Sequence, residues 1–188
     1  MKAMIFAAGL GTRLLEETSN KPKALVKIGG KTLLQYAIEK LRNEGISEIV
    51  VNVHHFSELV IDFLSNHNFG ITIHISDESG KLLDTGGGLK KAAPFLEGDS
   101  PVVIYNVDIL SNLNLQTVKD AHIKSGALAT LVVRNRKTQR YFKFDNDHRL
   151  VGWMNKKTGE SKISVSENFN ESAEMAFSGI HIIQPKLF

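Results

Sequence analysis

Short apolar runs alternate with segments of helical periodicity from the N-terminus to Arg140. The run Ala3–Ala8 is continuously apolar, which is typical of a strand covered on both faces. Four later runs, rich in β-branched residues, also predict strands: 47–53, 71–75, 101–107 and 127–134. Apolar positions at helical spacing predict helices at 31–43, 56–66 and 115–126, and a short helix that ends at Ala92 and Ala93 before Pro94.

This alternation predicts an α/β fold of the Rossmann-like kind: a doubly wound, mostly parallel sheet with right-handed crossovers. The pattern changes after Arg140. Residues 141–155 alternate around an Asp/Asn turn and predict a β-hairpin, whereas residues 157–174 are polar and predict a loop-rich segment. Residues 175–183 predict a final strand.

Composition narrows the class of protein. A length of 188 residues favours a single domain. The net charge is +3, and the basic residues are scattered along the chain, so nucleic acid is not an expected partner. The absence of cysteine excludes disulfides, thiolate metal sites and cysteine nucleophiles.

Membrane and export signals are not expected either. No apolar run approaches the roughly 20 residues of a membrane span. The N-terminal apolar stretch is too short for a signal peptide and is interrupted at residues 9–13. We therefore expect a cytoplasmic protein with no membrane partner.

A glycine turn directly follows the first predicted strand. Gly9 and Gly11 let a backbone approach a phosphate closely, at the strand end where α/β sheets bind ligands. A dinucleotide fingerprint needs a further glycine where Leu14 stands, and an acid after the second strand, which ends at 50–53 without one. A triphosphate P-loop would need Gly-Lys-Ser/Thr, which is absent.

Two cations accompany this turn. Arg13 can bind a phosphate through its planar fork, and Lys23, which follows the rigid Pro22, acts as a point charge. A glycine loop with two cations favours a ligand with more than one phosphate, hence a nucleoside triphosphate. A plain strand-to-helix corner stays open on these residues alone.

The same residues carry a resemblance. Residues 7–13, followed by Pro22-Lys23-Ala24-Leu25 and the glycine turn at 29–30, resemble the signature of sugar-1-phosphate nucleotidyltransferases. Residues 84–88, Asp-Thr-Gly-Gly-Gly, are similar to the nucleoside-contacting stretch of the branch with N-acetylmuramate-1-phosphate uridylyltransferases and mannose-1-phosphate guanylyltransferases. On the residues alone, three consecutive glycines indicate that something, such as a base or a sugar, packs against bare backbone, and a flexible turn stays open as the alternative.

The resemblance implies a nucleotide-diphospho-sugar transferase fold with a nucleotide-binding half at 1–110 and a sugar-binding half at 111–188. It also implies that Asp108, at the tip of a buried strand, binds Mg²⁺. The family motif there is usually Asn-Gly-Asp, and Val107 takes the place of that glycine. A second acid that completes the metal site in relatives is missing, so we expect a C-terminally truncated chain.

The implied reaction joins a nucleoside triphosphate (UTP, GTP or CTP) to a sugar-1-phosphate and releases pyrophosphate. The catalytic residues are then Arg13 and Lys23. The nucleotide-binding residues are Ala8, Gly9, Gly11, Thr12, Arg13, Lys23, Asn52, Thr85, Gly86 and Gly87. The sugar-binding residues are Asn106, Trp153, Glu174 and Gly179.

Other functions remain open at this level. Transfer of a cytidylyl group to choline phosphate would use the same loop with a different acceptor site. A non-catalytic nucleotide-sugar regulator would keep the fold without turnover, as the missing second acid and Val107 would allow. A nicotinamide oxidoreductase is disfavoured by the spacing after Gly11.

Overall fold

The computed structural model describes residues 1–9, 11, 17–165, 167 and 169–188. Within that part of the chain lie eleven strands and four α-helices. The strands are β1 Lys2–Phe6, β2 Lys27–Ile28, β3 Lys31–Thr32, β4 Glu48–Val53, β5 Thr72–Asp77, β6 Val102–Asn106, β7 Ala129–Arg134, β8 Arg140–Phe144, β9 Leu150–Asn155, β10 Ser161–Ile163 and β11 Ala173–Ile183. The helices are α1 Leu33–Asn43, α2 Ser57–Ser65, α3 Asp84–Leu96 and α4 Leu115–Ser125.

The first of two units comprises Met1–Thr130 and Ile180–Phe188, and it contains a mostly parallel sheet. Strand β1 lies at the centre and pairs in parallel with β4 on one side and β6 on the other. Strand β5 continues the parallel order beyond β4, and Ile180–Ile183 of β11 run antiparallel to β6. The predicted α/β class with a mostly parallel sheet is thereby confirmed.

The parallel strands form the core of this unit. Met4, Val50 and Ile104 lie on β1, β4 and β6, and all three are fully shielded from solvent. They form one cluster with Ala92 and Leu96 of α3. A continuously apolar strand can be buried in this way because both of its faces are covered.

Helix α1 shows how local sequence sets the boundaries of an element. The side-chain oxygen of Thr32 accepts a hydrogen bond from the backbone N–H of Gln35, which caps the first turn. Gly45 follows the last turn with a φ of 80°, a conformation that glycine adopts without steric cost. The helix predicted for 31–43 is thus present as Leu33–Asn43.

Helix α3 differs from the prediction at both ends. The glycines at 86–88 were expected to precede a short helix, but they lie inside its first turns, and the helix passes through Pro94 to Leu96. Proline removes one backbone hydrogen bond, and here Pro94 and the residue four positions before it, Lys90, are both exposed, so water can reach the freed carbonyl. Burial of Leu96, which is 1% exposed, favours continuation of the helix.

The second unit, Leu131–Gly179, is built from antiparallel pairs. Strands β8 and β9 form the hairpin predicted for 141–155, and β11 pairs with β8 through residues 173–175. Strand β10 pairs with β9 inside the segment 157–174 that was predicted to be loop. All three residues of β10 are exposed, so no buried alternation marked it as a strand. The division into halves at residue 110 stays a prediction.

Within the described ranges, none of the helices combines the length and the apolar character that crossing a bilayer requires.

Two histidines of the first unit are held in their neutral form. His122 is fully buried on α4, where Nδ1 lies 2.8 Å from the Thr130 hydroxyl and Nε2 lies 3.0 Å from the Gln184 side-chain amide. A neutral ring that donates from Nδ1 and accepts at Nε2 satisfies both contacts. Burial lowers the pKa of His122 and lowers the pKa of His181, on β11, to about 4.

These pKa shifts predict that stability falls as the pH drops from about 7 to 5. Below pH 6.5 the unfolded chain binds a proton at His181, whereas the folded chain does so only near pH 4, so acid favours unfolding. We expect a loss on the order of 1 kcal/mol in the free energy of unfolding, measured by urea titration at pH 7, 6 and 5. The variant His181→Gln should flatten this slope. An unchanged slope in that variant would contradict the assignment.

Candidate active site

Three parallel strands end at the same level in the first unit. Phe6, the last residue of β1, pairs with Asn52 of β4 and with Asn106 of β6. The segments that follow these strands therefore start side by side, at the sheet edge where α/β folds bind ligands. This register places the glycine turn after β1 next to Asn52 and next to the segment that carries Asp108.

The start of the glycine turn is held by a side chain. The Asn52 Oδ1 atom accepts hydrogen bonds from the backbone N–H groups of Ala7, at 2.8 Å, and Ala8, at 3.3 Å. Asn52 is 1% exposed, so these bonds are shielded from water. The residue predicted to contact the nucleotide thus also anchors the turn.

Gly11 occupies a conformation and a space that only glycine fits. Its φ is 68°, and an added Cβ would lie 2.9 Å from Cγ2 of Thr18 and 3.3 Å from Cβ of Lys23. The hydroxyl of Thr18 donates to the Gly11 carbonyl at 3.2 Å. Two of the predicted phosphate-binding residues, Thr12 and Arg13, lie outside the described residues.

Lys23 follows Pro22, whose extended backbone leads into a short 3-10 turn at Lys23–Leu25. Ala24 is fully buried and fixes this turn against the core. The Lys23 ammonium pairs with the Oδ2 atom of Asp108, so the predicted catalytic cation and the predicted metal ligand are brought together.

The backbone around Asp108 accommodates Val107 at the position where the family motif has glycine. Val107 is buried, has no positive φ, and donates its N–H to the carbonyl of Phe6 at 3.2 Å. The Tyr105 hydroxyl donates to the Ile109 carbonyl at 2.9 Å, and burial raises the pKa of Tyr105 to about 12. A valine at 107 is therefore compatible with this turn.

A buried acid lies beside Asn52. Glu78 is 1% exposed; its Oε1 accepts from the Asn52 side-chain amide at 2.8 Å and its Oε2 from the backbone N–H of Leu83 at 3.2 Å. Gly88 of α3 packs directly on this pair, since an added Cβ would lie 2.7 Å from Glu78 Oε1 and 3.1 Å from Asn52 Nδ2. The groups that pack against the bare backbone of Gly88 are therefore the Glu78 carboxylate and the Asn52 side-chain amide.

The other two glycines of the triplet differ from Gly88. An added Cβ at Gly87 would lie 2.9 Å from Cβ of Leu83, whereas one at Gly86 would meet no atom within 4 Å. Among the predicted residues of this stretch, Thr85 lines the cavity described next. The roles of Gly86 and Gly87 in nucleotide binding stay predictions.

These elements surround a cavity of about 370 Å³ in the first unit. Predicted site residues supply part of its lining: Ala8, Gly9, Lys23, Asn52, Thr85, Asn106 and Asp108. Sequence reasoning missed further lining residues, notably Glu78, Leu82 and Asp84. The signal for Glu78 was an acid shortly after the predicted end of a strand, but its contact with Asn52, 26 positions earlier, is tertiary.

The cavity offers Asp108 as a candidate metal ligand. Within the described ranges, no three acidic or histidine side chains cluster in a way that could hold a metal ion. Asp108 nevertheless fits Mg²⁺ chemistry, because that ion is commonly held by one or two carboxylates together with substrate phosphates. Asp108 as the one protein ligand is compatible with a metal brought in by a triphosphate.

The second unit holds three of the predicted sugar-binding residues. Glu174 forms an ion pair with Lys156 at 2.5 Å and lies 3.8 Å from the buried Lys143 ammonium. The hydrogen bond to Glu174 raises the pKa of Lys156. Trp153 is half-buried in β9, and Gly179 has a φ of 78°. Glu174 is thus already engaged by two lysines, and the sugar roles stay predictions.

Comparison with known proteins identifies the class. The chain belongs to the nucleotidyl transferase family, whose pattern matches residues 2–157. Proteins of this family generally use a divalent metal.

Individual relatives are sugar-1-phosphate nucleotidyltransferases, as the sequence resemblance predicted. The UTP–glucose-1-phosphate uridylyltransferase of Synechocystis sp. is 31% identical over 100% of this chain and 50% of that protein. The N-acetylmuramate α-1-phosphate uridylyltransferase of Caulobacter vibrioides is 43% identical over 56% of this chain and 45% of that protein. The mannose-1-phosphate guanyltransferase of Debaryomyces hansenii is 35% identical over 70% of this chain and 37% of that protein. The chain thus spans about half the length of these relatives or less.

Solved structures support the fold. The crystal structure of HddC from Yersinia pseudotuberculosis has a TM-score of 0.79 and 23% identity, covering 99% of this chain and 77% of that one. The same protein has been solved in complex with GMP-PN, with a TM-score of 0.78 and 22% identity, covering 99% of this chain and 77% of that one. The comparisons give no support to choline-phosphate transfer or a regulatory role over sugar-1-phosphate nucleotidyl transfer.

The packing at Gly88 yields a prediction on stability. Gly88→Ala should lower the free energy of unfolding by about 1–3 kcal/mol, because the new methyl group overlaps the Glu78 carboxylate. Gly86→Ala is the matched control, two positions earlier in the same helix with open space around it, and should be neutral or stabilising by up to about 1 kcal/mol. Urea titration of both variants tests this. Equal effects of the two substitutions would contradict the packing argument.

Proposed function

We propose that this chain catalyses nucleotidyl transfer from a nucleoside triphosphate to a sugar-1-phosphate, with release of pyrophosphate. The observation that carries the proposal is the Lys23–Asp108 pair on a cavity reached by the glycine turn. It places a cation for phosphate charge beside a carboxylate that suits a metal. The family and the names of the relatives support the same class of reaction.

The reaction needs positioning and charge neutralisation more than a strong base. An oxygen of the sugar-1-phosphate attacks the α-phosphorus of the triphosphate in line, and the bond to the β-phosphate oxygen breaks as pyrophosphate leaves. The attacking group is already an anion, so no proton has to be removed from it.

Different residues of the chain would supply the positioning and the charge neutralisation. The N–H groups of the glycine turn, with Arg13, bind the departing β- and γ-phosphates. Lys23 offsets negative charge on the α-phosphate and the incoming phosphate. Asp108 would hold Mg²⁺, which when bound supplies Lewis-acid stabilisation of the phosphate charge.

The acceptor side of the proposal uses the remaining predicted residues. Asn106 lines the cavity beside Asp108 and can donate a hydrogen bond to the sugar phosphate. For the second unit, the predicted sugar contacts of Trp153 and Glu174 stay predictions, and Glu174 would have to release a lysine to accept from a sugar hydroxyl. Gly179, which is buried in β11 with a φ of 78°, keeps its sugar-binding role as a prediction.

A panel of substrates tests the activity itself. UTP, GTP and CTP should each be incubated with Mg²⁺ and with glucose-, mannose- or N-acetylmuramate-1-phosphate, and pyrophosphate release should be followed. We expect at least one pair to support release that requires both substrates. Binding of a triphosphate without release from any pair would favour the regulatory alternative. Thermal stabilisation by NAD, and by none of the triphosphates, would instead favour an oxidoreductase.

Lys23 provides the matching test of mechanism. Lys23→Ala should reduce kcat/KM by about 100- to 1000-fold, because a cation that stabilises transition-state charge is lost. Lys27→Ala removes an exposed lysine on β2, four positions later, and should leave kcat/KM close to that of the wild type. Full turnover in Lys23→Ala with unchanged triphosphate binding would remove Lys23 from the mechanism.

A further inference from the structure

Glu78 is a buried acid that the proposed reaction does not use. Both of its carboxylate oxygens accept hydrogen bonds inside the protein, one from the Asn52 side chain and one from the backbone N–H of Leu83. Its own backbone is held as well: the N–H donates to the Val53 carbonyl at 2.7 Å, and the carbonyl lies 2.7 Å from His54 Nδ1. Glu78 is thus held by β4, by His54 directly after β4 and by Leu83 directly before α3.

The carboxylate of Glu78 determines which end of the Asn52 side-chain amide faces it. An ionised carboxylate only accepts hydrogen bonds, whereas an asparagine side chain has one accepting end and one donating end. Glu78 therefore requires the Asn52 amide to present its Nδ2 atom, and the Oδ1 atom must then face the opposite way. That is the side on which the N–H groups of Ala7 and Ala8 lie.

These two N–H groups lead directly into the glycine turn. If the Asn52 amide turned over, Nδ2 would face the Ala7 and Ala8 N–H groups, and buried donors would oppose each other. A buried donor left without an acceptor destabilises this arrangement. The backbone at 7–8 would then shift, and the N–H group of Gly9 would shift with it.

We propose that Glu78 is a positioning residue that sets the orientation of the Asn52 amide and, through it, the register of the glycine turn on the phosphates of the nucleotide. This role rests on the proposed function, because the turn is there assigned to the β- and γ-phosphates. The proposed role differs from recognition of the nucleotide base. A residue that acts through Asn52 alters the binding of any polyphosphate, with or without a nucleoside.

A reversal of hydrogen-bond polarity tests the role. Glu78→Gln gives position 78 a donating end, which must oppose one of the two donors that face it, the Asn52 side-chain amide or the Leu83 N–H, so the contact that holds the Asn52 amide is weakened. The double variant Asn52→Asp with Glu78→Gln restores a unique pattern. One oxygen of the new carboxylate at position 52 accepts from Ala7 and Ala8, and the other accepts from the new side-chain amide at position 78. The oxygen of that amide accepts from the Leu83 N–H, and the total charge at the two positions equals that of the wild type.

The first readout is amide hydrogen exchange, which needs no catalytic turnover. In Glu78→Gln, the amides of Ala7 and Ala8 should exchange about tenfold faster, the factor of a single hydrogen bond, while Ile5 within β1 keeps its wild-type rate. The double variant should return both amides close to wild-type protection. Glu48→Gln, at the opposite end of β4, is the matched control and should leave both amides unchanged.

The second readout is affinity for inorganic tripolyphosphate and for UTP and GTP. Glu78→Gln should weaken all of them by a similar factor, about three- to tenfold, and the double variant should recover that loss. Thermal unfolding of each variant identifies loss of the fold, which would speed exchange at Ile5 as well as at Ala7 and Ala8.

Three results would overturn the proposal: wild-type exchange at Ala7 and Ala8 in Glu78→Gln, failure of the double variant to recover protection, or a change in UTP-against-GTP preference with unchanged tripolyphosphate affinity. The last would assign Glu78 to the base. If the wild-type chain releases no pyrophosphate from any substrate pair, the proposed function fails, while the exchange rates still decide whether Glu78 positions Asn52.

Discussion

Phe6 pairs with Asn52 on one side and with Asn106 on the other, and this parallel register is the constraint on which the site depends. Because the three strands end close to the same level, the segments after them start side by side, and the Lys23–Asp108 pair can form between them. A register shift of one residue would turn the Asn52 side chain to the other face of the sheet. Its bonds to Ala7, Ala8 and Glu78 would then all be lost.

The charged side chains around the cavity differ in how deeply they are buried. Glu78 is fully buried and has hydrogen-bond donors at both oxygens, which is how a protein tolerates a buried acid. Lys23 and Asp108 are partly exposed and pair with each other. A polyanionic ligand and its metal can compete for these two groups, whereas the buried network underneath keeps its shape. Rigid support and exchangeable partners are therefore separated in space.

Much of the fold and part of the site could be predicted from local patterns. The apolar runs predicted the central strands, and helical spacing over 31–43 predicted α1, whose cap at Thr32 the structure shows. Prediction was wrong where burial overrode local rules, as in the continuation of α3 through Pro94, and where no burial pattern existed, as in β10. The contribution of Arg13 and Thr12, which lie outside the described residues, stays a prediction.

The sequence by itself was enough to predict the class of chemistry, because the glycine turn and Lys23 behind Pro22 form a motif of residue types at short spacing that resembles the signature of sugar-1-phosphate nucleotidyltransferases. Only the tertiary structure decided what Gly88 and Glu78 do. Their partner, Asn52, lies 26 residues before Glu78 along the chain, and no local periodicity records a contact made across neighbouring strands. A glycine that looked like room for a ligand proved to be room for a buried acid and its amide.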